Sequence, residues 1–183
     1  MKKAKLVFLD LETTGTNPQK HEIIEIGCVV ARQEPGPDGK PQVEKIEEFD
    51  IKVKPKRIED AEPGALRVNK YSESEWLFAT EPEDAIKTLA EKTKDAIIVA
   101  QNVSFDWAFI AKALHEHGMK EEMNYHKWDL ASIAFGALKD DDSIQKFTMR
   151  SLCEHFGVVN ENAHTALSDA RATFEVYKKI AAL

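Results

Sequence analysis

Lys5-Leu6-Val7-Phe8-Leu9-Asp10-Leu11-Glu12-Thr13-Thr14-Gly15-Thr16-Asn17-Pro18 is the stretch on which the reading of this chain turns. Residues 5–11 are an apolar run of strand length. Residues 13–18 end it with turn chemistry. Asp10 and Glu12 stand two apart where the strand gives out, so both side chains point to one face. Two acids side by side on a strand buried on both faces repel each other and desolvate badly. Taken alone, the pair reads as a strand end with both acids hydrated. The sharper reading is a metal ion that both carboxylates share.

Working outward, residues 23–31 are β-branched and read as a second strand. Residues 34–41 hold Pro35, Gly36, Pro37, Asp38, Gly39 and Pro41, a turn by composition. Residues 44–53 alternate as a third strand through Ile46, Phe49, Ile51 and Val53. The pattern then turns helical. Thr80-Glu81-Pro82-Glu83 has the form of a capping box ahead of Ile86, Leu89 and Ala90. Residues 96–100 are a short buried strand. Ser104 is expected to cap a helix bearing Trp107, Ile110, Ala111 and Leu114, with Gly118 ending it. Residues 127–130 read as a last short strand. Met149, Leu152, Cys153 and Phe156 mark a helix stopped by Gly157. Ala166, Ala170, Phe174, Tyr177 and Ala181 share one face of the final helix. The order β-β-β-α-β-α-β-α-α predicts an α/β fold, a mixed five-stranded sheet flanked by helices, and resembles the ribonuclease H-like architecture.

The chain has 183 residues, 25 Lys+Arg against 32 Asp+Glu, and a formal charge of −7. That length fits a single domain over residues 1–183. No apolar run approaches the roughly 20 residues needed to span a bilayer. The N-terminus is too short in apolar residues for a signal peptide. Cys28 and Cys153, each in an apolar stretch, are expected to be buried free thiols, as suits the cytoplasm. The acidic balance excludes a basic module held by phosphate contacts alone. It leaves room for nucleic acid if metal ions bring the positive charge.

Two further elements change the weight given to Asp10 and Glu12. Asn102-Val103-Ser104-Phe105-Asp106 follows the strand at residues 96–100 and opens a helix, which puts Asp106 in the first turn beyond a strand end. If that strand runs parallel beside the first, Asp106 faces Asp10 and Glu12. In isolation, Asp106 is equally an acid favoured by the helix dipole. His164-Thr165-Ala166-Leu167-Ser168-Asp169 is the third element. A separation of five turns about 500° on a helix, so His164 and Asp169 converge only with His164 on the preceding loop. Each element alone has an ordinary explanation as a solvated acid or loop histidine. Jointly, three such coincidences at sheet-edge positions are improbable.

Residues 8–15, 102–106 and 164–170 resemble the three motifs of the DEDDh exonucleases, a family that includes the proofreading subunit of bacterial replicative polymerase, ribonuclease T and oligoribonuclease. The likeness runs in order from about residue 5 to about residue 178. It implies a ribonuclease H-like fold and 3′→5′ exonuclease activity. It also implies Asp10, Glu12 and Asp169 as ligands of one Mg²⁺, Asp10 as a bridge to a second, Asp106 acting there through water, and His164 as general base. Mn²⁺ is expected to substitute. Leu11, Thr13, Thr14 and Phe105 fall where family members bind the terminal nucleotide. Two departures stand out. Gln101 replaces a histidine common before the second motif, and Lys70 replaces a glycine common in the turn at residues 68–71.

The expected substrate is the 3′ end of single-stranded nucleic acid, DNA ahead of RNA. Oligoribonuclease-like removal of short RNA is the rival among enzymes. A catalytically silent nucleic-acid-binding or polymerase-docking module is the rival outside them, and the full motif set argues against it. The ending at Leu183, just after the last helix, weakens a proofreading-subunit reading. A homodimer and a polymerase partner stay open. Lys52, Lys54, Lys56 and Arg57 read as a solvated strand edge ahead of a nucleic-acid track, and Trp107 as core. His21, His115, His117, His126 and His155 read as non-functional, and residues 140–142 as a solvated loop.

Overall fold

The computed structural model describes residues 3–183. β1 (Ala4–Thr13), β2 (Ile23–Pro35), β3 (Pro41–Lys52), β4 (Ile97–Ala100) and β5 (Lys127–Asp129) form one five-stranded sheet in the order β3-β2-β1-β4-β5. β1 pairs antiparallel with β2 and parallel with β4, and β5 runs parallel to β4. The mixed sheet expected from the sequence is therefore present. The helices are α1 (Pro63–Val68), α2 (Pro82–Lys92), α3 (Val103–Glu116), α4 (Leu130–Leu138), α5 (Met149–Phe156) and α6 (Ala166–Ala181).

Strand alternation divides the core. Val7, Leu9 and Leu11 pack on one face of the sheet with Ile86 and Leu89 of α2 and Phe109 and Ile110 of α3. Leu6 and Phe8 pack on the other with residues of α4, α5 and α6. Phe8 meets Phe174 edge-on at 5.2 Å. Cys28 and Cys153 are buried free thiols in opposite layers. No helix among the described residues is long and apolar enough to cross a membrane.

β1 alternation places Asp10 and Glu12 on the α6 face, in line with Leu6 and Phe8. Gly27 lies opposite Asp10 across the β1–β2 ladder. A Cβ at Gly27 would sit 2.0 Å from the Ala166 carbonyl carbon. Only glycine lets the start of α6 close onto the sheet there, and this approach brings Asp169 beside Asp10.

Several local expectations are corrected. Thr80 does not cap α2, because its backbone bridges the chain beside Val53, donating to Lys52 and accepting from Lys54. Glu81 takes the cap position without a side-chain bond, and Pro82 opens the helix. Ser104 lies inside the first turn of α3, and the N-cap is Asn102, in left-handed backbone with φ 62°. Leu130 leaves the strand to begin α4, which the sequence reading omits along with α1. The ends of α3 and α5 fall as expected, at Gly118 and Gly157, both with positive φ.

Candidate active site

Asp10 and Glu12 leave β1 toward α6, and Asp169 reaches them from the first turn of α6. One carboxylate oxygen from each of the three lies within 4.8 Å of the others. Asp106 enters from the first turn of α3, beyond the end of β4, and is 3% exposed. It stands outside that trio. His164 is exposed on the loop before α6, with φ 68°. Asp10, His164 and Asp169 line one cavity of about 470 Å³, with Gln101, Met149, Arg150 and Asn160 also in its wall. The structure thus gathers the residues that the three motifs supply.

The electrostatics follow from burying like charges. Burial pushes the Asp10 carboxyl well above its usual range, and the charges of Asp106, Asp169 and Glu12 add to it. Glu12 is raised to about 7 by burial, then by Asp169 and Glu25. Asp106 is raised to about 8, chiefly by burial, against hydrogen bonds from its own and the Leu11 backbone. Such a cluster favours protons or cations. Its donor set is all oxygen, which fits a hard divalent cation such as Mg²⁺ or Mn²⁺.

Asp169 is held from both sides. Its Oδ2 accepts from the His164 backbone N–H at 3.0 Å, and its Oδ1 accepts from Asn160 Nδ2 at 2.5 Å. The turn after β1 is equally fixed. Thr13 Oγ1 donates to the Gly15 carbonyl, and Thr14 Oγ1 accepts from the Glu22 N–H at 2.9 Å. Thr13 and Thr14 are 7% and 0% exposed. Their hydroxyls shape the turn, and Leu11, at 5% exposure, packs into the core. Phe105 is partly buried, 5.1 Å from Phe109. Trp107 packs against the core beneath Lys127, whose Nζ lies 3.7 Å from the ring centre.

Three contributors escaped the sequence reading. Glu25 lies across the ladder from Glu12, is raised to about 7 by burial and by Asp50, and accepts a hydrogen bond from the Ala166 backbone at the start of α6. An acid inside the apolar run at residues 23–31 was its signal. Asn69 donates to the Thr13 carbonyl at 3.0 Å and is buried. Asn160 gave no signal in sequence. The four cations from Lys52 to Arg57 each face a carboxylate: Lys52 pairs with Glu75, Lys54 and Lys56 with Glu81, and Arg57 with Glu22.

The RNase_T family model, described as an exonuclease, matches residues 7–177. The chain belongs to this family. Among its relatives, the PolC-type DNA polymerase III of Thermotoga petrophila is 29% identical over 95% of this chain, which spans only 12% of that polymerase. The 3′-5′ DNA exonuclease Cap18 of Escherichia coli is 28% identical, over 95% of this chain and 90% of its own length. The E. coli exonuclease I structure with a dT13 oligonucleotide superposes with a TM-score of 0.76 at 19% identity, over 97% of this chain and 41% of that one. The fold is the ribonuclease H-like fold that exonuclease I shares, and the matched region is an exonuclease domain.

Proposed function

We propose that this chain is a metal-dependent 3′→5′ exonuclease that shortens single-stranded nucleic acid, DNA ahead of RNA, and releases 5′-mononucleotides. The observation that carries the reading is the carboxylate trio of Asp10, Glu12 and Asp169 within 4.8 Å, of which Asp10 and Asp169 line a cavity with His164. Asp10, Glu12 and Asp169 would hold one Mg²⁺, and Asp10 with Asp106 would serve a second. Two such cations when bound supply activation of the attacking water and stabilisation of the leaving 3′-oxygen. Mn²⁺ is expected to replace Mg²⁺.

The remaining steps belong to the chain itself. His164, exposed on its loop, takes the proton of the attacking water at an imidazole nitrogen, a task suited to histidine. Glu12 and the backbone near Thr13 and Thr14 hold the terminal 3′-hydroxyl, in a turn stiffened by Asn69 and the two threonine hydroxyls. Phe105, only partly buried, flanks the terminal nucleotide, whereas Leu11 is packed into the core. The −7 charge fits this scheme, since four site carboxylates account for −4 of it and two divalent cations neutralise those four. Similarity to a DNA exonuclease and to a DNA polymerase supports DNA as the first choice.

Residues 1–183 are read as one exonuclease domain, and the two unpaired thiols support a reducing, cytoplasmic setting. The deciding experiment compares 5′-labelled single-stranded DNA, single-stranded RNA and dinucleotides, with Mg²⁺ or with chelator. Stepwise ladders on linear DNA that stop in chelator are expected, with circular DNA left intact. Cutting of the circle at a comparable rate, or equal cutting in chelator, overturns the reading.

A further inference from the structure

Asp169 must do two things if the proposed metal site is right: aim one oxygen at the cation and keep its place relative to His164. A carboxylate in the first turn of a helix rotates freely about its last bond unless donors fix its plane. Here the donors are two. The His164 N–H binds Oδ2 at 3.0 Å, and Asn160 Nδ2 binds Oδ1 at 2.5 Å. The Asn160 orientation follows from chemistry. A carboxylate only accepts, so the amide NH₂ must face Asp169. The Asn160 Oδ1 then faces Ser168 Oγ, 2.6 Å away, which must donate to it. A directed chain results, from the Ser168 hydroxyl to the Asn160 carbonyl and from the Asn160 amide to Asp169.

Asn160 and Asp169 belong to different segments. Asn160 lies in the loop between α5 and α6, four residues ahead of His164, whereas Ser168 and Asp169 are on α6 itself. The clasp therefore pins to α6 the loop that carries His164, and the same carboxylate binds the His164 backbone. Each carboxylate oxygen has two acceptor positions, so both protein donors can stay in place while Asp169 binds a cation.

We propose that Asn160 is a positioning residue that sets the carboxylate plane of Asp169 and the register of the His164 loop, with Ser168 orienting Asn160 in turn. The inference rests on the metal-site reading above. Removing hydrogen-bond partners that orient metal ligands typically costs about 10–100-fold in metal affinity or activity.

The test measures Mn²⁺ binding by paramagnetic resonance on the full chain without substrate, beside thermal unfolding in chelator. Asn160→Ala should weaken Mn²⁺ binding by roughly 10-fold or more while unfolding like wild type. Asn160→Leu, which restores bulk but no donor, should be equally weak. Ser168→Ala should weaken binding less, and should add nothing in the Asn160→Ala background. At saturating Mn²⁺, Asn160→Ala should lower kcat with KM for an oligonucleotide little changed. Unchanged Mn²⁺ affinity in folded Asn160→Ala, or full rescue by Leu, overturns the inference while leaving the metal site standing. Failure of the wild-type chain to bind Mn²⁺ overturns the metal-site reading and this inference with it.

Discussion

Burial raises the Asp10 carboxyl first, and the charges of Asp106, Asp169, Glu12 and Glu25 raise it further. Asp10→Ala should therefore abolish hydrolysis without unfolding the chain, because it relieves like-charge repulsion while opening little apolar space. Turnover and thermal unfolding in chelator check this, and near-normal turnover by the folded variant is the adverse result. His164 is different in kind, an exposed side chain outside the carboxylate trio. His164→Ala should lose about 10²–10⁴ in rate and keep its metal affinity. Metal binding lost in proportion to rate would make His164 a ligand. Both residues were legible because their spacing allowed few geometries. The five-residue gap between His164 and Asp169 forced the histidine onto a loop, and φ 68° at His164 is how the chain meets that demand. Asn160 was not legible, because a loop asparagine is ordinary until the fold sets it against Asp169.

Elements were readable where burial imposed a period and unreadable where it did not. α1 is six residues long and buries none of them, so it left no apolar stripe. α4 did leave one, in Leu130, Ala134 and Leu138, with Asp129 accepting from the Ser132 N–H at its start. Reading residues 127–130 as one short strand hid that cap. The turn after α1 shows a local rule broken. Lys70 has φ 56°, a left-handed conformation that costs a non-glycine residue on the order of 1 kcal/mol. Glycine, which the motif resemblance leads one to expect in this turn, adopts such a backbone without steric cost. Lys70→Gly should thus relieve native strain and match or exceed wild-type stability, although glycine also loosens the unfolded chain. Denaturant midpoints measure the balance, and a loss above about 1 kcal/mol would mean that the Lys70 side chain makes a stabilising contact.

At the scale of the whole molecule, folding gathers acids that the unfolded chain keeps apart. The cost of that assembly is a function of pH. Glu12 moves from 4.5 to about 7, and Asp106 from 3.8 to about 8. A raised folded value means that the native state holds protons which the unfolded chain has released. The associated stability is fully present below about pH 4, and is lost as pH rises through 7 and 8. One group moved as far as Glu12 is worth about 3 kcal/mol, or roughly 6–12 °C of midpoint in a chain of this size. In chelator, the unfolding midpoint should fall between pH 5 and pH 8. On the proposed reading, saturating Mg²⁺ would bind the deprotonated carboxylates of the native state, so its stabilisation should grow over the same interval and flatten the fall. In Asp10→Ala the chelator slope should be shallower, because one source of repulsion is gone, and the Mg²⁺ effect should shrink with it. A midpoint in chelator that stays level or rises from pH 5 to pH 8 would show that these acids remain ionised in the native state without a cation. The charge on the cluster would then have to be balanced by groups other than a bound metal.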